Sequence, residues 1–253
     1  MKMGANKISF IQKGAIEMVD GQGTHSFPFH THESFMIGVI LEGKADFRIG
    51  TQAKLLEKDM VYTVPSNVGI SITPHTPIHY ITLCIKGTLR QSFNAFKENF
   101  YDEEMGKGLV KCIHQWRNEE IEEREFIQSL IKCLGDAMPI EVEGMREDSH
   151  FVEQVAEYIR NHIEEPLKLD DLVEVAHVSK YYLVRAFTKK MGIGPMQYAQ
   201  MCKLRFLRAH MMQCSEAELA YRLNFSSQGH MCTTFKKYMG ITPKRYIKSV
   251  KEQ

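Results

Sequence analysis

The chain has 253 residues, 43% hydrophobic and 25% charged, which excludes a disordered or fibrous protein and allows two domains with separate cores. Its opening, MKMGANKISFIQKG, has no apolar signal core, and the longest nearly apolar run, FMIGVIL at residues 35 to 41, is too short to span a bilayer, so no membrane association and a cytoplasmic location are expected. The formal charge of +1 conceals a division: residues 1 to 150 carry a net −5 and residues 151 to 253 a net +6.

Six cysteines, at 84, 112, 133, 202, 214 and 232, form no C-x-x-C pair, so reduced thiols are expected rather than a disulfide framework or a zinc site. Residues 25 to 88 read as β-rich. ESFMIGVI, KADFRIG, KDMVYTVP, VGISITP and HYITLCIK are short β-branched and aromatic runs separated by turn signals. Ala45, Phe47 and Ile49 alternate with Asp46, Arg48 and Gly50, as a half-buried strand requires. Such spacing suggests a sandwich or barrel. From 119 to 137 the apolar residues Ile121, Phe126, Leu130, Ile131 and Leu134 recur at helical spacing, predicting an amphipathic helix. Its face is wide enough to predict homodimerisation through Phe126, Leu130, Ile131 and Leu134. The polar stretch from 141 to 149 is the expected linker.

From Phe151 onward the pattern is helical. One helix ends before Pro166, a short one follows around Asp170, and Ser179 caps another that stops at Gly192. A long helix starts at Pro195, then a short one runs through EAELAYRL, and Ser227 caps the next. Aligning SKYYLVRAFTKKMGIGPMQY (179 to 198) with SQGHMCTTFKKYMGITPKRY (227 to 246) gives an internal repeat with a 48-residue offset. Each copy is a short helix, a turn, and a helix ending in basic residues, which is the helix-turn-helix pattern that sets a second helix into the major groove. The basic half then has a reason, since clustered cations are favoured by counterion release from a polyanion.

LDDLVEVAHVSKYYLVRAFTKKMGIGPMQYAQMCKLRFLRAHMM, followed by AELAYRLNFSSQGHMCTTFKKYMGITPKRYIK, resembles the DNA-binding domain of the AraC/XylS family of bacterial transcription regulators. The resemblance implies base contacts by Tyr181, Val184 and Arg185 in the first recognition helix and by Ser227, Gln228, His230 and Thr233 in the second. Lys189, Lys190, Arg205, Lys236 and Lys237 are the expected phosphate contacts, because long cationic side chains position without specifying. The sequence departs from the family pattern at Asn224 in the turn, at Gly229, at Met231 where an aromatic is usual, and at Thr233 where an Arg is usual. The second head is therefore expected to read more loosely.

HTHESFMIGVILEGKADF and EKDMVYTVPSNVGI resemble the two halves of the cupin barrel that many such regulators carry as a sensor. Metal-binding cupins use H-x-H, a Glu and a further His; here Met36 and Ile70 stand where the Glu and last His would be. No metal or cofactor and no enzymatic activity are expected, and the alternative is a metal-dependent cupin enzyme or metal sensor with a DNA-binding tail. The strand pattern instead suggests an organic effector near His30, His32, Met36, Phe47 and Tyr62. The expected fold is thus α+β and multidomain: a cupin-like effector barrel over 1–88, a helical dimerisation segment and linker over 89–148, and an all-α domain with two helix-turn-helix motifs over 149–253. The expected partners are double-stranded DNA, a small-molecule effector, a second copy of the chain, and RNA polymerase if the protein activates.

Overall fold

The structure, a computed structural model, describes residues 6–93, 100–134 and 150–251. The expected linker at 141 to 149 and the end of the helix expected to reach 137 lie outside the described residues. The described chain divides into two compact units: the residues up to 134 apart from Phe27–Thr31, and those five residues together with 150–251.

Strands begin earlier than the sequence suggested. β1 (Lys7–Lys13) and β2 (Ile16–Gly23) form a hairpin turned at Gly14, whose φ of 54° needs little from a residue without a Cβ. After β3 (Phe27–Thr31), the first unit continues with β4 (Phe35–Glu42), β5 (Ala45–Ile49), β6 (Gln52–Leu56), β7 (Val61–Val64), β8 (Gly69–Pro74), β9 (Ile78–Ile85) and β10 (Phe100–Tyr101). One sheet runs in the order β1-β2-β9-β4-β7-β10, and β5 pairs antiparallel with both β6 and β8.

Two helices follow, α1 (Glu103–Arg117) and α2 (Glu123–Cys133). Because strand side chains alternate, Phe35, Ile37 and Val39 of β4 share one face with Ile16, Met18, Val61, Ile81 and Leu83, and the helices bury that face. The helical contribution is Leu109, Ile113, Trp116, Phe126, Leu130 and Leu134, with Trp116 stacked on Phe126 at 4.6 Å. α1 reaches the sheet closely because residue 106 is glycine: a Cβ there would lie 1.6 Å from the carbonyl oxygen of Asp59.

This packing corrects the sequence-based reading of the helical segment. The helix starts at Glu123, since Glu119 takes a left-handed φ of 61° and reverses the chain between α1 and α2. Phe126, Leu130 and Leu134 are already covered by the chain's own core, leaving Ile131, at 40% exposed, as the outward residue of the four. The wide apolar stripe serves a two-helix layer on the sheet.

The second unit contains α3 (His150–Asn161), α4 (Leu169–Ala176), α5 (Lys180–Met191), α6 (Pro195–His210), α7 (Glu216–Arg222), α8 (Gln228–Met239) and α9 (Pro243–Lys251). The two halves of the repeat fold alike in detail. Ser179 Oγ accepts from Tyr182 N at 3.2 Å, and Ser227 Oγ from His230 N at 3.1 Å, closing the first turns of α5 and α8. Gly192 and Gly240 end these helices at φ 73° and 74°. Phe187 meets the edge of Tyr198 at 5.5 Å, and Phe235 meets Tyr246 at 5.8 Å.

The repeat also extends further back than the aligned segments. Tyr158-Ile-Arg160-Asn-His162, at the end of α3 and one residue past it, matches Phe206-Leu-Arg208-Ala-His210 in α6, again 48 positions on. Each histidine Nδ1 approaches the carbonyl oxygen four residues earlier, at 2.8 and 2.9 Å, and each ring stacks at 3.9 Å on the aromatic there. α6 is therefore both the closing helix of the first copy and the opening helix of the second. Its 16 residues make it about 24 Å long. The copies differ at the turn. The left-handed residue precedes the capping serine by two positions in the first (His177, φ 51°) and by three in the second (Asn224, φ 54°).

Candidate functional site

In α5 the buried residues Leu183, Phe187 and Met191 fix which side is free. Tyr181, Arg185 and Lys189, each four apart, are exposed and so form one outward row. Tyr181 is 76% exposed, an unusual state for a tyrosine whose ring could bury a large apolar area. Val184 is half-buried beside this row. Lys190 turns inward, its Nζ lying 2.7 Å from Glu153 Oε1 of α3.

In α8, Met231 and Phe235 are buried while Ser227, Gln228, His230, Thr233, Lys236 and Lys237 are exposed. Met231 is buried where the resemblance implied an aromatic. Several of these residues have local duties. Ser227 is the helix cap. Gln228 Nε2 donates to Glu216 Oε2 at 2.9 Å, and Cys232 Sγ donates to the same oxygen at 3.4 Å. Burial, then this hydrogen bond and the Glu216 charge, push the Cys232 thiol up to about 11. His230 Nδ1 lies 3.0 Å from Ser226 Oγ, with its ring edge-on to Phe225.

Lys189, Lys236 and Lys237 are exposed as phosphate contacts require, whereas Arg205 is half-buried, its guanidinium 5.6 Å from the Tyr198 ring centre and Nη1 3.7 Å from Cys202 Sγ. The sequence reading missed Arg160, Arg208, Arg222, Glu164 and Glu216, which hold the helices that carry the exposed rows. For Arg160 and Arg208 the signal was present in the YIRNH and FLRAH segments.

Within the first unit, the alternate residues of β4 face away from α1 and α2. Gly38 stands opposite both Tyr62 and Thr82, and a Cβ at residue 38 would fall 2.1 Å from Tyr62 Cζ, so the phenol ring lies flat on this strand. Tyr62 Oη is 2.5 Å from Thr82 Oγ1, and the Tyr62 ring lies 4.6 Å from Phe47. Burial raises the Tyr62 hydroxyl well above the usual phenol range, and it raises Tyr80 further still. Met36 pairs with Cys84, and Cys84 with Glu17, so the same inner face carries a buried carboxylate, whose Oε2 lies 3.1 Å from Lys86 Nζ. Glu17 was missed because strands were expected only from residue 25.

Of the five expected effector residues, Met36, Phe47 and Tyr62 thus come together. His32 lies in the turn before β4, half-buried, its carbonyl accepting from Asn67 N at 2.7 Å. His30 belongs to β3, grouped with the second unit, and its Nδ1 is 2.6 Å from Pro28 O. Among the described residues no three His, Cys, Asp or Glu side chains converge as a metal would require, and no helix is long and apolar enough to cross a membrane.

A sheet-rich unit closed by two helices, followed by a tandem helix-turn-helix unit, defines a sensor-plus-reader architecture. Residues 16–134 match the AraC-like ligand binding domain and residues 172–249 match a helix-turn-helix domain. The chain is 30% identical over 101 residues to the multiple antibiotic resistance protein MarA of Escherichia coli, covering 39% of this chain and 80% of MarA. It is 31% identical over 101 residues to the bifunctional transcriptional activator/DNA repair enzyme AdaA of Bacillus subtilis, covering 39% of this chain and about half (48%) of AdaA. In fold it is similar to unsaturated-fatty-acid-bound ToxT from Vibrio cholerae, with a TM-score of 0.58 at 14% identity over 97% of both chains. The chain belongs to the AraC/XylS family of transcription regulators.

Proposed function

We propose that this protein reads duplex DNA with α5 and α8 and changes its activity when a small organic effector binds in the first unit. The observation that carries the DNA reading is the matched pair of serine-capped helices, each with a buried apolar stripe and exposed side chains opposite it, in a half of net charge +6. Tyr181, Val184 and Arg185, with Gln228, His230 and Thr233, are the proposed base readers; Ser227 acts through the cap. Lys189, Lys236 and Lys237 are the proposed phosphate contacts, with Lys190 and Arg205 joining if they leave Glu153 and Tyr198. The test is selection from random duplexes by the full chain, followed by a salt titration. A selected motif whose binding falls steeply with salt supports the reading, and no salt-dependent enrichment overturns it.

The proposed effector face is that of Met36, Phe47, Tyr62 and Glu17, with His32 as a candidate polar partner. ToxT has been observed with an unsaturated fatty acid, so amphiphilic carboxylic acids are suitable first probes in a thermal-shift screen of metabolites. Stabilisation that disappears in Phe47→Ala but persists in an exposed-surface control supports this face; stabilisation retained in that variant places the effector elsewhere. We further propose a cytoplasmic regulator without catalytic activity of its own, acting as a homodimer through the outer face of α2 and, if an activator, on RNA polymerase. Sedimentation of the wild type and Ile131→Glu checks the dimer: a shift toward monomer supports this surface.

A further inference from the structure

The contacts that recur in both copies of the repeat build each head, but one cluster occurs only where the copies meet. Glu164, just beyond α3 in the first copy, receives two parallel hydrogen bonds from Arg222 at the end of α7 in the second: Nε to Oε2 at 2.7 Å and Nη2 to Oε1 at 3.0 Å. This fork-to-fork pairing restricts direction as well as distance. Asn224 Nδ2 donates to the Glu164 carbonyl oxygen at 2.6 Å, and Asn224 is itself the left-handed residue of the second turn. The Arg222 guanidinium lies 5.1 Å from the Phe206 ring centre of α6, Nη1 approaches Cys214 Sγ at 3.8 Å, and Lys203 Nζ of α6 sits 5.7 Å from the Phe225 ring. The turn of the second head is therefore tied both to the first head and to the helix between them. In the first copy α4 ends in Val175-Ala176, with no arginine at the matching end.

We propose that Glu164, Arg222 and Asn224 are positioning residues that set the spacing at which α5 and α8 engage DNA. This rests on the reading of those helices as the two heads. α6 alone fixes a connection, but rotation at its C-terminal end would let the second head swing. A bidentate ion pair and an amide-to-carbonyl bond beside that end oppose such a swing. One inserted base pair moves a site by about 3.4 Å and about 35° around the duplex, so a fixed joint converts into a preference for one separation.

The test uses the full chain and the best duplex it selects from a random pool. From this duplex a series is made with one or two base pairs inserted or deleted between the two contacted boxes. The wild type is expected to lose about tenfold or more in affinity per step from the selected spacing. Glu164→Ala and Asn224→Ala are expected to weaken binding at the selected spacing by about three- to tenfold and to flatten the profile to within about threefold. The reversed pair Glu164→Arg with Arg222→Glu should restore the wild-type profile. A wild-type profile in the folded single variants overturns the proposal, as does equal loss at every spacing, which a merely structural role would give. Wild-type indifference to spacing also overturns it, while failure of the wild type to select any duplex removes the DNA reading itself.

Discussion

Arg208 donates to the hydroxyl of Tyr246 from Nε at 3.3 Å and from Nη2 at 3.2 Å, with its guanidinium carbon 5.2 Å from the ring centre. Forty-eight positions earlier, Arg160 Nη1 donates to Tyr198 Oη at 2.9 Å. Each pair ties the first helix of a copy to the helix that closes it. Tyr246→Phe and Tyr198→Phe keep the rings and remove the hydroxyls, so each is expected to lower stability by about 1 kcal/mol. Urea unfolding of the full chain checks this, with Arg208→Ala costing more than Tyr246→Phe because it also removes the cation–π contact.

Gly106→Ala should be far more damaging than an alanine in place of glycine within an exposed helix. The added methyl would collide with the Asp59 carbonyl at 1.6 Å, and neither backbone can move without lifting α1 from the sheet. A loss of about 3 kcal/mol or more is expected, read as a large drop in the thermal midpoint of the first unit's transition. Gly108→Ala on the same helix, where the nearest atom is Cys133 Sγ at 3.8 Å, should be neutral or stabilising.

The reach of the sequence can be judged from these elements. Ser179, Gly192 and Ser227 were legible because capping and left-handed termination depend on local chemistry. The β1–β2 hairpin was not assigned as strands, although KISFIQK and AIEMV flank a glycine turn. The fate of Phe126, Leu130 and Leu134 was not legible either: an amphipathic face specifies that it is covered, not by what. Side-chain commitments such as Gln228 to Glu216 depend on the separation of α7 and α8, which periodicity does not encode.

Arg185→Ala is expected to reduce the ratio of specific to nonspecific binding by about tenfold, since a single base contact contributes about 1–3 kcal/mol of discrimination. Lys236→Ala should weaken both kinds of binding similarly and reduce the salt slope by about one. Binding titrations on the selected duplex and a scrambled one, each at several salt concentrations, separate the two roles.

The Glu164 carboxyl is held below its ordinary range, chiefly by the hydrogen bonds from Arg222. A depressed carboxyl contributes stability that is present above its unfolded-state pKa and lost as pH falls through the folded value. The difference in thermal midpoint between wild type and Glu164→Gln should therefore be full near neutral pH, begin to shrink near the ordinary glutamate value of about 4.3, and disappear as pH falls through the lower folded value. Both groups face solvent, so the difference should be small and should shrink with added salt. Melting curves at two pH values and two ionic strengths check each sign.

The second turn is one residue longer than the first, with Asn224 three positions before Ser227 and His177 two before Ser179. Two heads repeated in tandem within one chain are not exchanged by a two-fold axis, and these two also approach their recognition helices through unequal turns. A palindrome presents the same face in either direction, but a site read by such a chain has an arrow. One protomer on it distinguishes upstream from downstream, so inverting the site between fixed flanking sequences would turn the whole molecule around.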